Sequence, residues 1–475
     1  MNADRTPRDR RLSALIGGLF SLALAFVSYF WFPGHTWLQQ DSQLYVAILE
    51  HQRDAAVLRN DPVAMEPHTG YTLWDETAIG LNGVTGLSFH QVLAAEQIAT
   101  RALGIWGLYL IATAAGLTVG PAWLVVVIVS LGARITGPEV LTFEYEPTPR
   151  AFAIPLVMLA IGLAAHRRAM AAAVAGAGAF LFHPPAALPF WAVFAAMDLR
   201  RWKVLLPLAG AMGLLLLTRG GEHQEFFGRL TPIDLSLMRM RTAYVFVSSW
   251  PAGTLRVHAM VAGVLAAAWL RVRGHGLLMG LAAIGVLSVP VSWLLLEHAN
   301  LRMIPQLQPM RWLLFTWLAM QVTTAVAGAM AAGKKRWVES FAWFAAALAP
   351  PLVPVLGGMS NYPNLHTPEL AHISDWARNS TPRDAVFVFP DAGHSTVPGI
   401  FRVEAQRALY VDWKSGGQMI YLPDFGWKWW FRWQQTQPFD LAKYDALGVR
   451  YAVVKRGGEY VVYDAKTGVA AGPPR

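Results

Sequence analysis

The chain contains no cysteine. That removes disulfide frameworks, thiolate metal sites and cysteine nucleophiles. Charge is scarce as well. Asp, Glu, Lys and Arg make up 15% of the 475 residues, against roughly 25% in soluble globular chains. Neither long low-complexity stretches nor a repeat of solenoid period is present. What fills the space is apolar: 55% of residues are hydrophobic, with 20 tryptophans.

Runs close to the roughly 20 apolar residues needed to cross a bilayer recur along the chain. Eleven candidates run approximately 12–32, 99–118, 121–136, 151–165, 169–182, 186–197, 204–218, 257–270, 277–296, 310–332 and 338–356. The pair flanking His183-Pro184-Pro185 is short and reads as two helices or one broken hairpin. Basic clusters fall in alternate loops, at Arg8, Arg10 and Arg11, at Arg167 and Arg168, at Arg200, Arg201 and Lys203, at Arg271 and Arg273, and at Lys334, Lys335 and Arg336. By the positive-inside rule these loops and the N-terminus face the cytoplasm. The net charge of +9 is then a topology signal, and nucleic acid is not an expected partner. The first run follows Arg11, exceeds a signal-peptide core and lacks a small-x-small cleavage site before Pro33, so it reads as a retained anchor.

The expected architecture is a polytopic α-helical membrane protein of about eleven transmembrane helices, residues 1–357, followed by a C-terminal extracytoplasmic α/β domain, residues 358–475. Outer loops are expected at 33–96, with amphipathic helices, and at 219–256. In the tail, Pro368 to Asn379 reads as a helix after Thr367, Ala385 to Phe389 and Leu409 to Asp412 as strands, and Asp440 to Leu447 as a helix. Tyr451 to Lys455 and Tyr460 to Tyr463 flank Arg456-Gly457-Gly458 as a hairpin. The expected setting is a bacterial inner membrane, with the tail in the periplasm.

Candidate chemistry sits in the outer segments. Asp41, a few residues beyond the first span, is a carboxylate at the membrane surface and can act as a general base, although taken alone it reads as a helix cap or a solvated loop residue before it reads as a base. Glu144 and Glu146 lie in Glu144-Tyr145-Glu146, ahead of Pro149-Arg150. Spaced i, i+2 in extended chain, they project to one side and could bind a divalent cation or an acceptor hydroxyl. Glu66, His68, Asp75 and Glu76 in the first outer loop are further acceptor-side candidates, or helix caps. Arg302 and Arg311, near the outer end of the tenth run, suit bidentate recognition of a phosphate or of lipid headgroups. Trp413, Trp427, Trp429, Trp430 and Trp433 suit the membrane interface or a sugar face. The histidines show no close ligand spacing for zinc.

Together these features resemble the GT-C superfamily of polytopic, lipid-phosphate-sugar-dependent glycosyltransferases: an N-in anchor, an acidic residue early in the first large outer loop (Asp41), a second acidic motif in the next (Glu144-Tyr145-Glu146), an Arg in a late outer loop (Arg311) and an external tail. The chain also resembles uncharacterised bacterial membrane proteins with Pro-Arg after the third span and Gln-x-x-Arg before a late one, here Pro149-Arg150 and Gln308-Pro309-Met310-Arg311. The resemblance implies inverting transfer from a polyprenyl-phosphate sugar to an extracytoplasmic acceptor. Asp41 would then be the base, Glu144 or Glu146 would orient the acceptor or hold a cation, and Arg311, with Arg150 or Arg302, would hold the lipid phosphate. Asp41 has no adjacent acid, unlike several members of the superfamily. Two alternatives are a catalytically silent envelope-assembly relative and a transporter or flippase. The spans are almost free of ionisable residues, which counts against ion coupling. Transfer requires residues from three outer loops to converge on one cavity that meets an apolar groove.

Overall fold

The structure, a computed structural model, describes residues 7–32, 34–197, 202–218, 226–272, 276–356 and 364–471. Arg200, Arg201, Arg273, the boundary at 357/358 and the first residues of the expected loops at 33 and 219 lie outside the described residues.

The chain is mostly helical. In order it forms α1 (Pro7–Phe30), α2 (Ser42–Arg53), α3 (Pro62–Met65), α4 (Trp74–Thr85), α5 (Phe89–Ala114), α6 (Val119–Ser130), a short hairpin of β1 (Arg134–Ile135) and β2 (Val140–Leu141), α7 (Pro149–Ala165), α8 (Ala169–Phe182) and α9 (Pro184–Met197). Then follow α10 (Leu206–Thr218), α11 (Pro232–Arg241), α12 (Thr254–Val272), α13 (Gly276–Ser292), α14 (Met303–Leu307), α15 (Leu313–Gly333) and α16 (Trp337–Leu356). The C-terminal part contains α17 (Pro368–Ser380), β3 (Val386–Val388), α18 (Val397–Ala405), β4 (Ala408–Leu409), α19 (Pro423–Gln435), α20 (Leu441–Ala446), β5 (Tyr451–Arg456) and β6 (Glu459–Asp464). Each of the eleven apolar runs overlaps a helix, although the run 121–136 outlasts α6 and ends in β1. By length and composition three helical stretches, Thr254–Val272, Gly276–His298 and Met303–Gly333, could cross a membrane, and six further apolar helices are shorter.

Sequence chemistry explains the ends of several elements. Ser88 accepts from the Gln91 amide while the Gln91 side chain accepts from the Ser88 amide, a reciprocal cap that starts α5. Thr367 accepts from the Leu370 amide and Pro368 takes the first helical position of α17. Gly457 and Gly458, at φ 60° and 95°, turn β5 into β6.

Helices α5 and α7 cross at close range. A Cβ on Gly107 would stand 2.5 Å from the backbone of Leu159, and one on Gly162 would stand 2.5 Å from the Gly107 carbonyl. Small residues are what let two backbones approach so nearly. Gly107→Val is expected to lower stability by ~1–3 kcal/mol through overpacking, read as a fall in the thermal midpoint of the detergent-purified protein. A midpoint equal to wild type would show that the two helices separate without cost.

The C-terminal sheet has strand order β4-β3-β5-β6, with β3 parallel to both neighbours and β5-β6 antiparallel. Its two faces have different partners. Phe387, Tyr451 and Val453 join a core built with Leu38, Val46, Leu49, Trp74 and Phe89 of residues 33–96, the segment expected to be the first outer one. Val388 and Ala452, one register position away, join Tyr444, Val449 and Ala465 instead, as period-two alternation requires. Residues 364–471 therefore share one of their cores with the loop after α1. A second shared core links Val411, Met419, Ile420, Phe425 and Trp429 to the helical region.

Candidate functional site

The site is built on the segment before α7. Residues 144–147 run without regular structure, and side chains from other elements hold their backbone. Gln97 donates to the carbonyls of Glu144 and Glu146, Arg101 Nη2 donates to that of Glu144 at 2.6 Å, and Trp74 Nε1 donates to that of Pro147. Irregular backbone among apolar helices needs such partners. The two acidic side chains then diverge. Glu144 takes the Arg150 guanidinium at 2.6 Å, with both groups about a tenth exposed. Glu146 reaches the opposite way, to the start of α2.

The amides of Gln40, Asp41 and Ser42 all donate to Glu146, at 2.7, 2.9 and 3.2 Å, and the Ser42 hydroxyl adds a bond of 2.5 Å. Amides at a helix start have no partner within the helix, and a carboxylate there satisfies them. Burial, and then the facing Asp41, push the Glu146 carboxyl up, against Lys414 and these donors. Glu146 thus fixes the backbone that carries Asp41. Glu146→Gln, which keeps the volume and removes the charge, is expected to destabilise the protein by about 1–3 kcal/mol, measured by thermal unfolding. A loss below a few tenths of a kcal/mol would mean that the α2 start is held by something else.

Asp41 opens into a cavity of about 550 Å³. Its side chain is 41% exposed, and one carboxylate oxygen meets the Lys414 ammonium at 2.6 Å. Burial alone would push this carboxyl up. Lys414, with Arg150 and Arg311, outweighs burial and holds it well below the usual carboxylate range. The same cavity is lined by Glu139, Glu144, Glu146, Arg134, Arg150, Arg241, Arg311, His68 and Tyr244. Asp41, the Glu144-Tyr145-Glu146 segment and Arg311, from three separate segments between helices, converge on this one cavity.

Arg311 donates from Nε to the Pro138 carbonyl at 3.2 Å, and its guanidinium lies 4.8 Å from the Tyr244 ring centroid. His68 stacks on Tyr421 and is pulled down to about 4 by burial, with Asp41 and Asp75 opposing. It is therefore a neutral imidazole at pH 7.

Other expected site residues lie elsewhere. Arg302 is not among the cavity's lining residues and stands at the N-cap position just before α14. Glu66 pairs with Lys428 at 2.7 Å, and Asp75 is buried and accepts from Gln52 and Thr69. Glu76 is exposed on α4. Trp429 is buried, which removes it from the sugar-stacking reading, and its Nε1 donates to the Asp412 carbonyl. Trp427 is 41% exposed and donates to Asp234 of α11.

Sequence reasoning missed Lys414, Arg241, Tyr244 and Tyr421. Arg241 donates to the carbonyls of Trp413 and Lys414, tying α11 to the tail. None of these residues carries a local motif, since their partners lie far along the chain: Arg311 for Tyr244, Trp413 and Lys414 for Arg241, Asp41 for Lys414 and Gln308 for Tyr421.

The acidic side chains do not suit a divalent cation. Such ions want about six oxygens. Glu144 is committed to Arg150, Glu146 to amides and Asp41 to an ammonium. Among the described residues no group of three or more His, Asp or Glu is arranged to hold a metal.

A second, apolar cavity of about 330 Å³ adjoins the first, lined by Phe180, Leu188, Met212, Leu215, Leu216 and Leu307 among others. Tyr45, His68, His183 and Tyr421 border both cavities.

A family model described as a domain of unknown function (DUF6798) matches residues 369–435, a segment that contains Arg402, Asp412 and Lys414. No curated protein matches the chain. Among solved structures, the chain is similar to the arabinofuranosyltransferase AftD from Mycobacteria, with 16% identity, a TM-score of 0.48 and coverage of 94% of this chain and 35% of that one. It is also similar to the oligosaccharyltransferase of Archaeoglobus fulgidus in its apo form, with 11% identity, a TM-score of 0.44 and coverage of 92% and 69%. The same holds for the archaeal oligosaccharyltransferase AglB of that organism in complex with an inhibitory peptide and a dolichol-phosphate, with 11% identity, a TM-score of 0.44 and coverage of 94% and 69%. The chain spans 35% of the length of AftD.

Proposed function

We propose that this protein is a membrane glycosyltransferase of GT-C type that moves a sugar from a polyprenyl-phosphate donor to an extracytoplasmic acceptor with inversion. The observation that carries the reading is the pair of adjoining cavities: a polar chamber with Arg150, Arg241, Arg311 and Lys414 on its walls, joined at Tyr45, His68, His183 and Tyr421 to an apolar groove. A ligand that matches both has an anionic head on a hydrocarbon chain, and a sugar on that head would stand beside Asp41.

In the transfer, the acceptor oxygen bonds to the anomeric carbon while its proton passes to Asp41. The bond from that carbon to the phosphate oxygen breaks, and its electron pair leaves on the phosphate. Arg311 faces that developing charge. Glu144 and Glu146 act at one remove, the first by fixing Arg150 and the second by fixing the α2 start. On this reading the N-terminus is cytoplasmic, and both the cavity and the tail face the periplasm of a bacterial inner membrane.

The test is mass-spectrometric comparison of lipid-linked sugars and envelope glycans with and without the gene, followed by transfer assays with the polyprenyl-phosphate sugar that accumulates. An unchanged lipid-linked pool and unchanged glycans would refute the reading. The groove makes a separate claim. Leu188→Trp should weaken binding of a long-chain polyprenyl phosphate about tenfold, or ~1.4 kcal/mol, and leave a short-chain phosphate ester unaffected. Equal loss for both ligands would place the hydrocarbon chain elsewhere.

A further inference from the structure

Lys414 belongs to the tail, yet its ammonium reaches the carboxylate of the first outer segment. The backbone that carries it is pinned from three directions. The Ser415 amide donates to Asp412 at 2.8 Å, Arg241 of α11 donates to the carbonyls of Trp413 and Lys414, and Trp429 donates to the carbonyl of Asp412. Asp412 is itself paired with Arg402, which also grips Asp61 of the first outer segment at 2.8 Å. Lys414 is 17% exposed and also donates to the Gln40 side chain at 3.2 Å. A surface lysine with free rotamers would lose entropy by pairing. Here the fold has already fixed the backbone, and the ammonium sits on the wall of the cavity.

An ammonium at 2.6 Å makes Asp41 a poor base, because a proton taken from an acceptor would have to displace that contact. The other charged groups facing Asp41 are Arg150 and Arg311, which favour its charge, Glu146, which opposes it, and, more weakly, Arg241. The neutral His68 completes the surround. Of these cations Arg150 is held by Glu144 and Arg311 by Pro138. Lys414, on a flexible four-carbon stem, is the one best able to exchange one anion for another.

We propose that Lys414 is a ligand for the phosphate of the lipid carrier and, until the carrier arrives, the partner of Asp41. Carrier binding draws the ammonium onto the phosphate and frees the carboxylate to take the acceptor's proton, so the base becomes competent only when a donor is seated. This rests on the carrier reading above. In the transfer step the ammonium then offsets charge on the departing phosphate, while the proton from the acceptor remains on Asp41.

The experiment reads Asp41 directly with a hydrophobic carbodiimide, which reacts with protonated carboxyl groups, followed by peptide mass spectrometry of the full-length protein. Wild type alone should label weakly at Asp41. K414M should label about tenfold more, the change expected for one pKa unit, and K414R should resemble wild type. Adding undecaprenyl phosphate to wild type should raise labelling, and undecaprenol, with the same chain and no charge, should not. Tryptophan fluorescence titration measures whether each lipid binds. K414M should bind undecaprenyl phosphate about tenfold more weakly and undecaprenol equally well. Equal labelling of wild type and K414M would overturn the pairing. Binding of undecaprenyl phosphate to wild type with no change in Asp41 labelling would overturn the exchange while leaving the carrier site intact, and this arm needs no substitution. Failure of undecaprenyl phosphate to bind wild type at all would overturn the carrier reading itself, and the exchange with it.

Discussion

Asp41→Asn should reduce sugar transfer by about 10²- to 10⁴-fold, the usual contribution of a positioned general base, while leaving polyprenyl-phosphate binding intact or tighter. The amide keeps the volume of the side chain and leaves untouched the backbone contacts that Glu146 makes with residues 40–42. It cannot accept the acceptor's proton. Binding should not fall, because the substitution removes the anion bonded to the Lys414 ammonium and so removes a competitor of the phosphate. The two neighbouring acids cannot substitute as the base. Glu144 already holds Arg150 at 2.6 Å, and Glu146 accepts four hydrogen bonds. Initial rates with a labelled donor and lipid-binding titrations on the same preparations separate the two effects. A full transfer rate in Asp41→Asn would remove Asp41 as the base. Carrier binding in wild type without transfer of any sugar would favour the silent relative.

Much of this arrangement can be read from the sequence where it depends on local pattern. The apolar runs mark the helices because hydrocarbon-compatible composition over 12 or more residues has few other uses. Thr367 before Pro368 and the two glycines after Arg456 mark a helix start and a hairpin by chemistry confined to a few residues. Asp41, Glu144, Glu146, Arg150 and Arg311 stand out because charge is rare among the helices. Local pattern fails for Lys414, whose partner is Asp41 in a different part of the chain and whose own neighbours, Trp413 and Ser415, look like an ordinary surface turn. It fails in the other direction for Arg302 and Asp75, which have the right residue types in the right loops and lie away from the cavity. The Trp-rich α19 read as an interfacial stretch, yet Trp429 is part of a core that the tail shares with the helical region. Amphipathic aromatic helices have the same sequence signature whether their partner is lipid or protein.

The largest stability effect should come from the least exposed ion pairs in the tail. Arg402 lies between Asp61 of the first outer segment and Asp412, and all three side chains are at most 1% exposed. Asp61 also accepts from the amides of Val63 and Leu409, so a single carboxylate links α3, β4 and α18. Removing one member of a buried set leaves uncompensated charge, at a cost of about 3–5 kcal/mol. Arg402→Met should therefore lower the thermal midpoint far more than Arg59→Ala, which breaks the exposed pair with Asp384 and should cost at most ~1 kcal/mol. Combining Arg402→Met with Asp61→Asn and Asp412→Asn removes all three charges together and should recover much of the loss. Because Asp412 also accepts from the Ser415 amide next to Lys414, Arg402→Met should in addition loosen the Lys414–Asp41 contact, raising carbodiimide labelling of Asp41 at a temperature where the variant remains folded. If Arg402→Met melts with the Arg59→Ala variant, the buried trio does not hold the tail on the first outer segment. If it melts early but leaves Asp41 labelling at the wild-type level, Lys414 is positioned by Arg241 and Trp429 alone.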